Sequence, residues 1–310
     1  MKILVAGGAG FIGSHLVDAL VQDGHEVVVV DNLSHGLKEN INPAASFYKA
    51  DIRDAELENI FKKEQPEVVF NLAANISVFN SIQDAISDAH INILGMLNVL
   101  DQCKKYSAKK IIFSSSGGAV YSDTNRLPAQ ESDPISPLTP YGVSKASAEK
   151  YLKSYFRIFG LPYLALRLSN VYGPRQGSGG EGGVVSVFMD RLLNQEPVHI
   201  NGDGEQTRDY IFVRDVVDAF RTGLHQDQVG IYNIATGVEL SVNEIFNKIN
   251  ELMDNAGEKV HLPAKPGDQK RSCLSYSKAK KELGWQPKHS IERGLKETHD
   301  WFKKSRLLKK

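Results

Sequence analysis

Short, almost wholly apolar runs recur along the first half of the chain, with amphipathic stretches between them: KILVAG, EVVVVD, SFYKAD, EVVFNLAA, KKIIFSSS and YLALRLSN. A strand covered on both faces needs no polar side, and the intervening stretches have the length and period of helices. The pattern therefore predicts parallel βαβ units. We expect an α/β fold: a doubly wound parallel sheet of Rossmann type over residues 1–170, joined by segments returning from about 205–235, and a smaller C-terminal α/β substrate lobe formed mainly by 171–310. Two longer helices are predicted, roughly Ser77 to Lys105 and Tyr141 to Phe159. After Asn170 the rhythm loosens into the Gly-rich run GSGGEGG, Gly177 to Gly183, and then into shorter elements. No internal repeat is visible, and the tail KKSRLLKK reads as a solvated helix end.

Composition narrows the partners. The 310 residues carry 37 basic and 37 acidic side chains, so no charge excess invites nucleic acid or an anionic membrane. MKILVAGG runs directly into a strand and turn, without a long apolar core followed by a small-residue cleavage site, and no window approaches the ~20 uncharged residues of a membrane span. Cys103 and Cys273 are the only cysteines, too few for a disulfide framework or a zinc site. We expect two reduced thiols in a cytoplasmic protein, and no bound metal.

Candidate chemistry begins at GGAGFIG. Gly7, Gly10 and Gly13 follow the first apolar run and precede the helical pattern FIGSHLVDALVQDG. Glycine is needed where the chain turns tightly, where backbone must approach a pyrophosphate, and where helix packs closely on strand. The helix N-terminus, starting at Phe11 and Ile12, offers free N–H groups and the positive end of a dipole to phosphate. Asp31 ends the second run, at the distance expected of a ribose-binding acid. A carboxylate there accepts from both ribose hydroxyls and repels a 2′-phosphate, which favours NAD over NADP.

Tyr141 and Lys145 lie four apart in YGVSK, at the start of the second long helix, and so share a face. A phenol is a poor base at neutral pH, and a neighbouring ammonium together with a nicotinamide cation is expected to stabilise the phenolate and lower its pKa. Upstream, KKIIF ends in Ser114, Ser115 and Ser116, and the carboxyl ends of strands are where α/β sheets bind ligands. One of these hydroxyls could hold a reacting substrate hydroxyl.

GGAGFIGSH, Asp31–Asn32, NLAA at 71–74, SSSGGAVY, YGVSK, NVYGPRQ at 170–176, RDYIFV at 208–213 and PGD at 266–268 occur in that order. Together they resemble the extended short-chain dehydrogenase/reductase superfamily, in its NAD-dependent epimerase/dehydratase family, and most closely the UDP-glucose 4-epimerases. The resemblance spans essentially the whole chain and implies a UDP-sugar 4-epimerase acting by transient oxidation at C4 with bound NAD. UDP-glucose/UDP-galactose are the implied substrates, with UDP-N-acetylhexosamines as a further pair. It also implies a homodimer built on the two long helices, where residues such as Ile93, Leu97, Leu100, Tyr151, Tyr155 and Phe159 could face the partner or equally the chain's own core.

By the same resemblance Asn32, Asp51 and Ile52 border the adenosine, Leu72, Ala73 and Ala74 line the NAD channel, and Asn92 and Ser114 lie beside the cofactor. Ser116, Tyr141 and Lys145 match the catalytic triad. SSSGGAVY is one residue longer than the family's usual SSSATVY, so Ser115 stands as the alternative hydroxyl. Asn170 and Arg208 match residues that hold the diphosphate, Lys265 stands where many relatives carry Arg, and Val185 and Asp268 belong to the substrate side. Ser272 occupies a position where a bulky residue excludes a 2-acetamido group. Another nucleotide-sugar epimerase, or a dehydratase or decarboxylase, is the competing expectation, and a non-catalytic NAD-binding regulator is a more distant one. A dehydratase needs an extra acid pair beside the strand-end hydroxyl, where this chain has Gly117, Gly118 and Ala119.

Overall fold

The apolar runs become strands of one parallel sheet. The structure, a computed structural model, describes residues 1–122, 126–177, 182–254, 257–264 and 269–307. In chain order the first part comprises β1 (Lys2–Ala6), α1 (Phe11–Gln22), β2 (Glu26–Asp31), β3 (Ser46–Lys49), α2 (Glu56–Glu64), β4 (Val68–Asn71), α3 (Val78–Gln83), α4 (Ala85–Ala89), a π-helical turn His90–Leu94, α5 (Gly95–Lys105), β5 (Lys110–Ser116), α6 (Gly117–Tyr121), α7 (Pro140–Phe159) and β6 (Tyr163–Leu168). The second part holds β7 (Asn170–Tyr172), α8 (Val184–Leu193), β8 (Val198–Asn201), β9 (Thr207–Phe212), α9 (Val213–Leu224), β10 (Gly230–Ile234), β11 (Glu239–Ser241), α10 (Val242–Leu252), β12 (Lys259–Leu262), β13 (Arg271–Ser272), α11 (Ser277–Leu283) and α12 (Ile291–Leu307).

The seven-stranded sheet runs β10-β6-β5-β4-β1-β2-β3, parallel throughout. Strand order reverses between β1 and β4, and the crevice at such a point, outside the carboxyl ends of the strands, is where doubly wound sheets bind ligands. Alternate residues of each strand feed separate cores. Ile3 and Val5 join Leu16 and Leu20 of α1 and Val216 and Phe220 of α9 on one face; Leu4 and Ala6 join Phe61 of α2, Val99 of α5 and Leu152 of α7 on the other. Of the later segment, β10 returns to the sheet beside β6, and α9 packs on α1. β9 instead centres a second sheet with β7, β11 and β13, and α8, α10 and α12 enclose a third core around Phe188, Met189, Ile245 and Leu295.

The first expected long helix is not continuous. α3 stops at Gln83 because Asp84 leaves helical geometry and its carboxylate accepts the Ser87 N–H at 2.9 Å, starting α4 afresh. α4 then runs into α5 through the π turn, which contains Asn92. α7 follows expectation: Thr139 accepts the Gly142 N–H, Pro140 occupies the first turn, and Gly160 closes the helix at φ 72°. Of the positions open to either a partner or the chain's own core, Leu100 is fully buried in that core, and Leu97 and Tyr155 pack against it. Tyr151 and Phe159 stay exposed, beside Leu94 and Phe156. Among the described residues no helix is long and apolar enough to cross a membrane.

Candidate active site

At the carboxyl end of β1 the three glycines make a close-fitting cradle. Gly7 turns with φ +79°, and a Cβ on it would stand 2.7 Å from the Ala73 nitrogen; a Cβ on Gly13 would stand 2.1 Å from the Gly7 carbonyl oxygen. Side chains here would push α1 and the chain after β4 off the loop. Gly10 caps α1 without any side-chain hydrogen bond, and the first turn holds no acidic residue, so the helix presents free N–H groups and its positive dipole end. Phe11 and Ile12 open that turn.

Asp31 ends β2 beside this loop. Its two carboxylate oxygens accept one backbone N–H each, from Ala9 at 3.0 Å and Leu33 at 2.8 Å, which fixes the carboxylate and leaves lone pairs for a diol. Asn32 donates to Asp51 at 2.8 Å, while Arg53 grips Asp51 through Nε and Nη2, and that guanidinium holds the Asp51 carboxyl at about 2. Ile52 is buried beneath, and Leu72, Ala73 and Ala74 lie half-buried after β4, across from the cradle. These features fit a dinucleotide whose pyrophosphate lies on α1 and whose adenosine ribose meets Asp31.

Two strands along, the three serines separate by the alternation of β5. Ser115 points into the wall and donates to Glu149 at 2.7 Å, whereas the Ser116 side chain lies near enough to the Tyr141 hydroxyl to favour its phenolate. Of the two alternatives, Ser116 is thus the hydroxyl that meets the tyrosine. The Ser114 carbonyl accepts the Lys145 ammonium at 2.9 Å, and Lys145 Nζ sits 5.7 Å from the centre of the Tyr141 ring. Gly142 allows this meeting, because its Cβ would stand 2.4 Å from the Ala119 carbonyl oxygen and would push α7 away from α6. The Tyr141 N–H also donates to Ser81 at 3.2 Å.

Burial of the phenol pushes Tyr141 up to about 12, against the opposing effect of Ser116, and burial brings Lys145 down to about 8. Desolvation penalises either charged form, so the buried pair holds the phenol proton firmly.

Asn92 does not offer a free amide to a cofactor. Its Nδ2 donates to the Asn75 carbonyl and to Asp88, and its Oδ1 accepts the Asn75 N–H, so it braces the loop that follows Ala74. Asp88, Asn75, Ser144, Glu149 and Arg167 escaped the reading of the motifs. The available signal was spacing: Asp88 and Asn92 stand four apart, as do Lys145 and Glu149, polar pairs on faces that should be apolar.

On the other side of the crevice, Arg208 and Ser272 are register partners of the parallel pair β9 and β13. Ser272 is buried, and its Oγ lies 3.4 Å from where a Cβ on Gly118 would be, two residues past Ser116. Asn170 starts β7 exposed. Val185 is 1% exposed and packs with Phe188 and Met189 in the third core. Lys265 and Asp268 lie outside the described residues. A second hub missed by sequence is Asp209, whose carboxylate accepts from Ser169, Thr236, Gly237 and Leu274 and so ties β9 to three neighbouring segments.

The sequence matches the family model described as GDP-mannose 4,6 dehydratase over residues 4–298. Three solved structures superpose closely. UDP-glucose 4-epimerase of Thermotoga maritima, with UDP-glucose, is 48% identical with a TM-score of 0.97, covering 98% of this chain and 99% of that one. UDP-glucose 4-epimerase of Thermus thermophilus, complexed with NAD, is 41% identical with a TM-score of 0.94 over the same shares. UDP-N-acetylglucosamine 4-epimerase of Methanobrevibacter ruminantium, in complex with UDP-N-acetylmuramic acid, is 38% identical with a TM-score of 0.93, covering 98% of each chain. With the glycine cradle, the strand-end serines and the Tyr141–Lys145 helix in one crevice and the match running through nearly the whole sequence, the chain belongs to the GDP-mannose 4,6-dehydratase family of extended short-chain dehydrogenase/reductases.

Proposed function

We propose that this protein is a UDP-hexose 4-epimerase that oxidises C4 transiently and reduces it again on the opposite face. The observation that carries the reading is the meeting of Ser116, Tyr141 and Lys145 at the end of β5, with Gly117, Gly118 and Ala119 where a dehydratase would need a further acid pair. The similarity to epimerases along the full chain supports it.

Gly7, Gly10, Gly13, Phe11 and Ile12 hold the pyrophosphate of NAD, Asp31 its adenosine ribose, Asn32, Asp51 and Ile52 the adenine side, and Leu72 to Ala74 the channel. Bound NAD supplies the hydride acceptor and donor, and in its oxidised form a positive ring that favours the phenolate. Ser116 holds the sugar's 4-hydroxyl against Tyr141. Tyr141 takes the O4 proton as the ketone forms and returns it after the sugar has turned over, so one residue serves as base and then acid. Lys145, charged over most of the physiological range, stabilises the phenolate at that moment. Asn170 and Arg208 hold the diphosphate, and Ser272 borders the hexose. A serine there leaves room for a 2-acetamido group, so UDP-N-acetylglucosamine is a second substrate.

Two copies pair through the exposed apolar positions Leu94, Tyr151, Phe156 and Phe159 of the α5 and α7 region. Two buried, unbridged thiols suit the reducing cytoplasm. Separate incubation with UDP-glucose, UDP-N-acetylglucosamine and UDP-glucuronate, followed by NMR of the sugar ring, tests the assignment. The 4-epimers of the first two should appear without net NADH. Loss of C6 as carbon dioxide, or a 4-keto-6-deoxy product, would replace it.

A further inference from the structure

Asp88 is fully buried, yet the three donors it receives are all neutral: Asn75 Nδ2 at 3.2 Å and Asn92 Nδ2 at 2.8 Å on Oδ1, and Ser144 Oγ at 2.6 Å on Oδ2. A buried carboxylate without a cation is costly and asks for a reason. The donors come from three segments that surround the reaction site. Asn75 follows the Leu72–Ala74 stretch, Asn92 sits in the π turn, and Ser144 precedes Lys145 on α7. π-helical turns of this kind tend to accompany functional sites.

Two carboxylates face Lys145. Glu149, one turn further along α7, is already matched by Arg167 of β6, a pair closed at 2.6 Å with both side chains 3% exposed. Asp88, reaching across from α4, has no such match. α3, which also packs on α7, carries no ionisable side chain, and β5 contributes only the neutral Ser114 carbonyl to Lys145.

We propose that Asp88 is a positioning residue of the Tyr141–Lys145 pair: its carboxylate pins the loop after β4, the π turn and α7 together, and sets an unmatched negative charge opposite the Lys145 ammonium. The charge does two things. It keeps Lys145 protonated in spite of burial, and it resists phenolate formation on Tyr141 in the absence of ligand, since Asp88 acts on both groups in the direction of retaining protons. The pair then loses its proton only when positive charge arrives alongside it. This inference rests on the epimerase reading for its meaning, but its test does not require turnover.

The protein is labelled at tyrosine Cζ with 13C, loaded with NAD, and titrated by NMR. The Tyr141 resonance is identified by its absence in Tyr141→Phe. Asp88→Asn keeps the size and can still bond Ser144 and Asn75, so it isolates the charge. Its pair should ionise at lower pH than the parent's by about half a unit or more, the scale of one charge acting at short range in a partly screened site. An unchanged or higher midpoint, even with lowered thermal stability, reduces Asp88 to a structural brace and overturns the proposal. Should Asp88→Asn fail to fold, Ser144→Ala retains the charge and removes one donor; the less solvated carboxylate should then raise the midpoint, and no rise would overturn the proposal. If the parent epimerises no UDP-hexose while the Asp88→Asn shift is observed, the functional reading fails and this one stands.

Discussion

Arg167 donates to both carboxylate oxygens of Glu149, 2.8 Å from Nε and 2.6 Å from Nη2, in a wall behind the strand-end serines. Ser115 donates to the same carboxylate, and Arg167 Nη1 donates to the Tyr121 hydroxyl at 2.6 Å, so the pair joins α7, β5, β6 and α6. Removing one partner leaves the other charge buried. Arg167→Leu should therefore cost about 3–5 kcal/mol, and Ser115→Ala, which removes only a hydroxyl, about 1–2 kcal/mol. Urea denaturation checks both, and equal losses in the two variants would contradict the ranking.

Tyr141→Phe should abolish turnover, because the only group lost is the hydroxyl that meets Ser116. Fold and NAD content should be nearly those of the parent, as the ring remains. Lys145→Ala should lower both activity and NAD retention. Turnover assayed beside absorbance of released nucleotide separates the two, and an active Tyr141→Phe enzyme would remove Tyr141 from its role.

The shifted pair also predicts stability against pH. Lys145 falls from 10.5 to about 8 on folding, so between those values the unfolded chain binds more protons, and stability from this group rises with pH. Tyr141 moves the other way, from 10.0 to about 12, so above pH 10 the folded chain retains the proton and stability is lost. Lys145→Met should flatten the rise between pH 8 and 10.5 and leave the later fall. Denaturation midpoints of parent and variant across that range decide it.

Ser272→Tyr should selectively remove activity on UDP-N-acetylglucosamine. Ser272 Oγ lies 3.4 Å from where a Cβ on Gly118 would be, so a phenol at that position adds bulk close to the end of β5. Contacts to the shared uridine diphosphate are untouched, so kcat/KM for UDP-glucose should change far less. An unchanged ratio between the two substrates would mean another residue is the gate.

A dimer held by the α5 and α7 region should lose affinity when Phe159 and Tyr151, 49% and 39% exposed, are both replaced by Asp. Sedimentation velocity should show twice the chain mass for the parent and a concentration-dependent shift toward monomer for the double variant. A parent that sediments as a monomer at all concentrations rules the interface out.

Much of this protein is legible along the chain because its signals are local. Period and length define β1 to β6; Gly7, Gly10 and Gly13 state a steric requirement; Asp31, Tyr141 and Lys145 are placed by distances along one strand or one helix turn. What needed tertiary structure is everything set by which side chain meets which across elements. Alternation in β5 turned Ser115 to the wall and Ser116 to the tyrosine, because Glu149 was waiting behind the sheet. Asp84 broke the first long helix where hydrophobic period alone saw continuity, since a side-chain cap competes with the backbone ladder only in three dimensions. Leu100, which the helical period alone could not assign to a partner or to its own core, lies in the core. Desolvation, which depends on all neighbours at once and on none in particular, pushes Tyr141 up, and packing placed Asp88 in the interior, where no motif had marked it.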